Sequence, residues 1–385
     1  MKTFSFMMRT RILYGTGSLQ GLGSELQEMG VRRVLLLTDR GVRRAGVVDG
    51  IAETVESLGI DVTWFDEVEP NPRDSTVERA AGVAREVAAG GLVAVGGGSV
   101  IDAAKAAGIL VTSGGRLRDY EGRGRVPRPI PPLVAVPTTA GTGSEVTFSS
   151  VITDTGRRYK FSINSPLATA RLAVLDPALT VSMPAPITAS TGMDALTHAI
   201  EALTSTKANP ISNALSLSAI QLIAKHLATA TRDGENLEAR SGMLMGSLLA
   251  GMAFANADVA GVHCMAEALG GVYDTPHGVA NSIFLPYVME FNLPSSAEKL
   301  ALVASAMGET VTGLSVPEAA MRSVEAVRAL SDDLDIPRFG DLGIDPSGFD
   351  DLARLAAANG SAGSNPRPVS KEVFGDLFRR ALRDS

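Results

Sequence analysis

The chain has 385 residues, more than one hydrophobic core usually supports, so two domains are expected. An apolar share of 45% with 40 glycines excludes a disordered protein and suits a compact α/β one. Aromatics at 5% and a net charge of -7 argue against nucleic-acid and anionic-membrane partners.

Met1 to Arg11 mix apolar and basic side chains without the uninterrupted apolar run of a signal peptide. Apolar stretches elsewhere fall far short of the ~20 residues of a membrane span. The single cysteine, Cys264, excludes an intramolecular disulfide and fits a reducing compartment. A soluble cytoplasmic protein is expected.

The first half alternates short β-branched runs with helical stretches. Strands are expected at Val34 to Thr38, Val62 to Phe65, Leu92 to Val95 and Leu133 to Val136. Strands alternating with helices imply a parallel sheet. Arg116 to Pro132, rich in Gly, Arg and Pro, reads as a surface connection. From about Ala178 apolar residues recur at spacings of three and four, through Ile187–Leu203, Ile211–Thr229, Leu237–Phe254 and Ala297–Ala306. The reading is therefore an α/β domain over 1–177 built on a parallel sheet, and an all-α domain over 178–385. The boundary is placed near Asp176-Pro177, because proline biases the residue before it away from helix.

The strand Leu92–Val95 runs into Gly96-Gly97-Gly98-Ser99, where a helix starts. Glycines let backbone approach a ligand, and a helix N-terminus offers unpaired N–H groups and a positive dipole end that suit a pyrophosphate. Ser99 is placed to cap that helix, with Asp102 one turn in. The pattern is not G-x-G-x-x-G, and alone it is as readily a structural turn. A second polar stretch, Pro137-Thr138-Thr139-Ala140-Gly141-Thr142-Gly143-Ser144-Glu145, follows the fourth strand. Both lie at carboxyl ends of expected parallel strands, where α/β sheets bind ligands. Asp39, beyond the first of these strands, is placed to accept from an adenosine ribose, or else to cap a helix.

Three of the four histidines fall in two short segments. Asp194 and His198 are four apart in an expected helix and share a face. His263 and His277 follow in Gly261-Val262-His263-Cys264 and Thr275-Pro276-His277-Gly278. One carboxylate and three imidazoles suit a divalent transition metal, either iron(II) or zinc(II), with open positions for water or substrate. His226 has no such neighbours and reads as a surface or core histidine. Cys264 points about 100° from His263 around the helix and reads as a buried small side chain.

These segments resemble the iron-containing (group III) alcohol dehydrogenases over nearly the whole chain. The resemblance is carried by Gly96-Gly97-Gly98-Ser99 with Asp102 and Lys105, by Pro137 to Thr147, by Gly192–Glu201 and by Gly261–Pro286. It implies a dinucleotide-binding N-terminal α/β domain, NAD as cofactor, and a metal, iron(II) ahead of zinc(II), held by Asp194, His198, His263 and His277. It also implies cofactor contacts at Asp39, Asn71, Gly97, Gly98, Ser99, Asp102, Thr138, Thr139, Thr142 and Lys160, and a substrate pocket lined by Phe254. The chain departs from the family's pattern at Glu267, where other members carry a histidine near the metal, and at Ser361, where a cysteine is common. Both bear on the substrate, and Glu267 also bears on proton transfer. Glu267, one turn after His263, reads as the proton relay or as a solvated helix residue.

The expected activity is the reversible, NAD-linked oxidation of a small alcohol to its aldehyde or ketone, in a homo-oligomer. A lyase of the related dehydroquinate synthase type would share the architecture but should show more Lys and Arg for substrate phosphate. Maleylacetate reductase-like relatives dispense with metal, which the intact Asp/His/His/His set opposes. A non-catalytic NAD-binding module would need no metal ligands.

Overall fold

A computed structural model describes residues 3–384; Met1 and Lys2, which the N-terminal reading above includes, and Ser385 lie outside the described residues. The strands are β1 Arg11–Tyr14, β2 Arg33–Leu37, β3 Asp61–Phe65, β4 Gly91–Gly96, β5 Gly122–Arg123, β6 Leu133–Pro137, β7 Ser149–Asp154, β8 Tyr159–Asn164 and β9 Leu172–Leu175. The helices of the first half are α1 Leu22–Glu28, α2 Arg40–Arg44, α3 Asp49–Glu56, α4 Asp74–Glu86 and α5 Gly98–Ser113. Those of the second half are α6 Ala185–Thr204, α7 Pro210–Arg232, α8 Leu237–Ala257, α9 Gly261–Tyr273, α10 His277–Ala306, α11 Val316–Asp333, α12 Phe349–Ala358 and α13 Lys371–Arg383.

The chain divides into two compact units. One comprises Met8–Thr139 and Gly143–Met183; the other comprises Pro184–Ser385 with Ala140–Thr142 and the segment ending at Met7.

The first unit is built on a six-stranded sheet of order β1-β9-β6-β4-β2-β3, every adjacent pair parallel. β4 and β6 are buried throughout, because helices cover both faces and alternation is lost. Val34, Leu36, Val93, Val95, Val134 and Val136 face Leu22, Leu26, Ile51 and Val55 of α1 and α3. Leu35, Leu37, Leu92, Ala94, Leu133 and Ala135 face Val77, Ala80, Ala81 and the apolar side of α5. A smaller sheet, β5-β8-β7, has β7 and β8 antiparallel and was not foreseen. The reading of Arg116 to Pro132 as a surface connection is corrected in part. Its arginines are exposed, but Leu117, Tyr120, Val126 and Ile130 are buried in the core beneath them.

The second unit is helical. α7 opens on Asn209, whose carboxamide accepts from the Ile211 and Ser212 N–H groups, with Pro210 at the first position. α10 runs 30 residues straight through Pro286 and Pro294, so the expected Ala297–Ala306 is only its last third. Phe284, Phe339, Phe349 and Phe378 form an aromatic core, with ring centroids 5.1–6.1 Å apart. Among the described residues no single helix is long and apolar enough to cross a membrane. α8 and α9 pass that composition test only as a pair, and that pair is bent by 100°.

Candidate metal centre and cofactor edge

In the helical unit three helices deliver one polar cluster into an apolar interior. α6 carries Asp194 and His198 one turn apart, α9 brings His263, and α10 begins at His277. One ligand atom from each of the four lies within 4.8 Å of all the others. Asp194 Oδ1 stands 3.9 Å from His263 Nε2 and 3.7 Å from His277 Nε2, and Asp194 Oδ2 stands 3.8 Å from His198 Nδ1. A tetrahedral ion with bonds of about 2.0–2.1 Å needs donors only slightly closer than this. Asp194, His198 and His263 are buried, whereas the His277 side chain is 29% exposed, which leaves one side of the cluster open.

The electrostatics favour a cation. Burial alone would raise the Asp194 carboxyl, but His198, His277 and His263 and a hydrogen bond from Asn281 hold it below its usual range. Burial drives the His198 imidazole down to about 4, keeping it neutral with a lone pair to give. His198 Nδ1 is buried without a hydrogen-bond partner, an orphan that a metal would satisfy. The donor set and its spacing therefore fit a divalent transition metal. Phe254 of α8 stacks flat on His198, with ring centroids 4.3 Å apart and planes 14° from parallel. Cys264 is buried with its thiol pushed up by burial, so it takes no part as a thiolate.

Two neighbours of this cluster were missed from sequence. Glu201 bonds His263 Nδ1 at 2.6 Å through Oε2, and accepts from the Ala260 and Val262 N–H groups at 2.8 and 2.7 Å. Asn281 Nδ2 donates to Asp194 Oδ1 at 2.6 Å and lies 3.2 and 3.1 Å from His263 Nε2 and His277 Nε2. Helical periodicity carried the signal. Asp194, His198 and Glu201 are i, i+4 and i+7, and His277 and Asn281 are i and i+4.

Glu267 accepts from Asn359 Nδ2 at 2.6 Å, and Asn359 Oδ1 accepts from the Ser361 N–H. Ser361 Oγ in turn donates to Asp258 Oδ1 at 2.9 Å.

In the α/β unit, β2 and β4 are adjacent although β3 separates them in sequence, so the strand order reverses there. At such a switch point the carboxyl ends of the strands open a ligand crevice. Asp39 leaves β2, Gly97, Gly98 and Ser99 leave β4, and Thr138 and Thr139 leave β6 on that one edge. Gly97 keeps this turn uncrowded, since a Cβ there would stand 3.2 Å from Thr139 Oγ1 and Cγ2. Ser99 does not cap α5 as expected; Gly97 is the N-cap and no side chain closes the helix end. Asp39 Oδ1 accepts from the Gly41 and Val42 N–H groups, capping α2.

Asp102 turns inward, accepting from Ser144 Oγ at 2.6 Å and the Val151 N–H at 2.9 Å. Buried Lys105 donates to Ser144 O and Oγ, Thr147 Oγ1 and Ser149 O, tying α5 to the second polar stretch. Lys160 Nζ donates to Asn71 Oδ1 at 2.6 Å, so two expected cofactor contacts meet each other. Thr142 lies in the short segment that clusters with the helical unit.

Comparison with known proteins agrees with this geometry. The family described as iron-containing alcohol dehydrogenase matches residues 9–177, and its C-terminal counterpart matches residues 188–382. The chain is 43% identical over 384 residues to the 1,3-propanediol dehydrogenase of Klebsiella pneumoniae, covering 99% of each. A solved 1,3-propanediol oxidoreductase superposes with a TM-score of 0.96 at 43% identity, over 99% of this chain and 100% of that one. A sulfoacetaldehyde reductase from Bifidobacterium kashiwanohense in complex with NAD+ gives 0.89 at 28% identity, over 100% of both.

Proposed function

The chain belongs to the iron-containing alcohol dehydrogenase family, and from that premise we propose that Asp194, His198, His263 and His277 hold its iron while it interconverts a small alcohol and the corresponding aldehyde or ketone. The protein is an alcohol oxidoreductase with iron and NAD as cofactors. The observation that carries the site assignment is the convergence of four ligand atoms within 4.8 Å inside an apolar unit.

Bound iron would supply Lewis acidity toward an alcohol hydroxyl, and NAD would supply the hydride acceptor. The chain's own residues do the rest. Phe254 covers one face of His198 and lines the pocket for an apolar substrate stem. The uncapped N-terminus of α5, behind Gly97, Gly98 and Ser99, presents N–H groups and a positive dipole end to the pyrophosphate. Thr138, Thr139, Thr142 and Asp102 furnish the polar surroundings, and the Asn71–Lys160 pair contributes from β8 and the loop after β3. Asp39 favours a ribose 2′-hydroxyl over a 2′-phosphate by charge, so NAD is preferred to NADP. Glu267, one turn after His263 in α9, accepts the released proton; its charge is felt at the His263 ring.

We assign NAD binding to residues 1–177 and metal binding to 178–385, although the compact units divide a few residues later, between Met183 and Pro184. The two family matches, over 9–177 and 188–382, support that division. We place the enzyme in the cytoplasm on its lone buried cysteine, as a homo-oligomer whose size sedimentation would report.

The test is bound-metal analysis with NADH and NADPH oxidation over a panel of small aldehydes and ketones. Iron should predominate over zinc, kcat/KM should be higher with NADH, and His263→Ala should lose most metal and activity while remaining folded. Full activity in a metal-stripped His263→Ala protein would overturn the ligand assignment, and a metal-loaded protein that consumes no NADH would overturn the activity.

A further inference from the structure

Helix α9 starts without help from its own sequence. Its N-cap is Ala260, which has no side chain able to receive the orphan N–H groups of a first turn. Glu201, sixty residues earlier near the end of α6, takes their place. Its Oε2 accepts from the Ala260 N–H at 2.8 Å and its Oε1 from the Val262 N–H at 2.7 Å. The same Oε2 lies 2.6 Å from His263 Nδ1. All three groups are buried. A carboxylate accepts only, so the bond to Nδ1 requires that nitrogen to carry the proton. The proton cannot then sit on Nε2 of a neutral ring, and Nε2 keeps its lone pair on the side of Asp194 and His277.

We propose that Glu201 is the positioning residue of the metal centre: one carboxylate fixes the tautomer and ring plane of His263 and, through the same two oxygens, the register of the helix that carries it. The proposal rests on the reading of His263 as a metal ligand. The helix and the ring cannot be set independently. If Glu201 is lost, the Ala260 and Val262 N–H groups of α9 lose their acceptor, with only Gly261 N–H still received by Asn365 Oδ1, and His263 loses the group that turns Nε2 inward. Partners of this kind commonly change metal affinity by about 10–100-fold. Geometry separates Glu201 from Glu267, another acid near His263, whose carboxylate accepts from Asn359 Nδ2 instead.

Glu201→Gln keeps size and polarity but must place an NH2 group against either a backbone N–H or the His263 Nδ1–H, a donor facing a donor. The dissociation constant for iron(II), and for cobalt(II) as a spectroscopic probe, would be measured by chelator competition on wild type, Glu201→Gln and His263→Ala. The metal-free melting temperature would be recorded beside each. Glu201→Gln should weaken both metals about 10–100-fold and shift the visible cobalt bands, with the metal-free protein still folded. Affinity and spectrum identical to wild type would overturn the proposal. His263→Ala separates the two failures. If it binds metal as wild type does, the ligand assignment is wrong; if it loses metal while Glu201→Gln does not, only the role of Glu201 is wrong. Should Glu201→Gln not fold, nitrogen NMR of histidine-labelled, metal-loaded wild type decides. A proton on His263 Nδ1 supports the proposal, and a bare Nδ1 refutes it.

Discussion

Glu267 and Ser361 stand where the family pattern has other residues, and they meet at one side chain. Asn359 donates to Glu267 through Nδ2 and accepts the Ser361 N–H through Oδ1, so the two departures belong to one hydrogen-bonded strap. Sequence placed both residues near the site but not next to each other, because 92 positions separate Glu267 from Asn359. The strap also bears on the acid's role. A carboxylate held by an amide donor is oriented, as a relay needs, and this one lies one turn from His263. Glu267→Gln preserves the size of the side chain and its ability to accept from Asn359, so the fold and metal content should be unchanged. What it removes is the capacity to take a proton, and kcat should fall about 10²–10⁴-fold, the usual cost of a lost general base. The limb of the pH–rate profile that Glu267 governs should flatten. Steady-state kinetics that match wild type, with the same pH profile, would reduce Glu267 to a structural acid.

Between elements, close approach depends on glycine at a few places. A Cβ on Gly278 would lie 2.5 Å from Ser190 O and 2.8 Å from its carbonyl carbon. Both are backbone atoms of α6, which cannot step aside, so Gly278→Ala must push the first turn of α10 off α6. That turn carries His277, and Asn281 follows one turn later. Ala gains at most about 1 kcal/mol of helix propensity, against about 1–3 kcal/mol for overpacking. The variant should therefore melt lower and bind metal more weakly. At Gly192 the atoms met are the flexible ends of Leu227 and Met243, so Gly192→Ala should cost less. Thermal melts and metal titrations of the two variants would reverse the argument if Gly192→Ala proved the more damaging. Legibility followed the same physics. β2, β4 and β6 showed in sequence because burial on both faces makes continuous apolar runs. β1 and β9 are four residues each, too short to show a pattern, and β7 and β8 alternate with polar residues that read as loop. Pro286 and Pro294 obscure the first two-thirds of α10 in the sequence, because a proline inside a helix removes a backbone hydrogen bond. The cluster of Asp194, His198, His263 and His277 was legible because histidine is rare in this chain. Glu201 was hidden because a helical Glu is common and its partners are sixty residues away.

Across the whole molecule, the expected cofactor positions other than Thr142 fall in one compact unit and the four proposed metal ligands in the other. Each ligand stabilises the part of the native state it binds, by RT ln(1 + [L]/Kd), about 2.7 kcal/mol at roughly 100 times Kd. If the units open separately, that gain should appear as slower amide exchange in one unit and not the other. Chelation of the metal should raise exchange most in α6, α9 and the first turns of α10, where Asp194, His198, His263 and His277 are anchored. β2, β4 and α5 should change little. Saturating NADH in the metal-free protein should do the reverse, protecting the start of α5 and the turn after β2, where Gly97 and Asp39 lie. Hydrogen exchange read by mass spectrometry, with and without each ligand, resolves the two patterns. Equal protection across both units on adding either ligand would mean that the chain opens as one cooperative body. Metal-dependent protection confined to β2 and α5 would remove the helical unit as the metal's binding place.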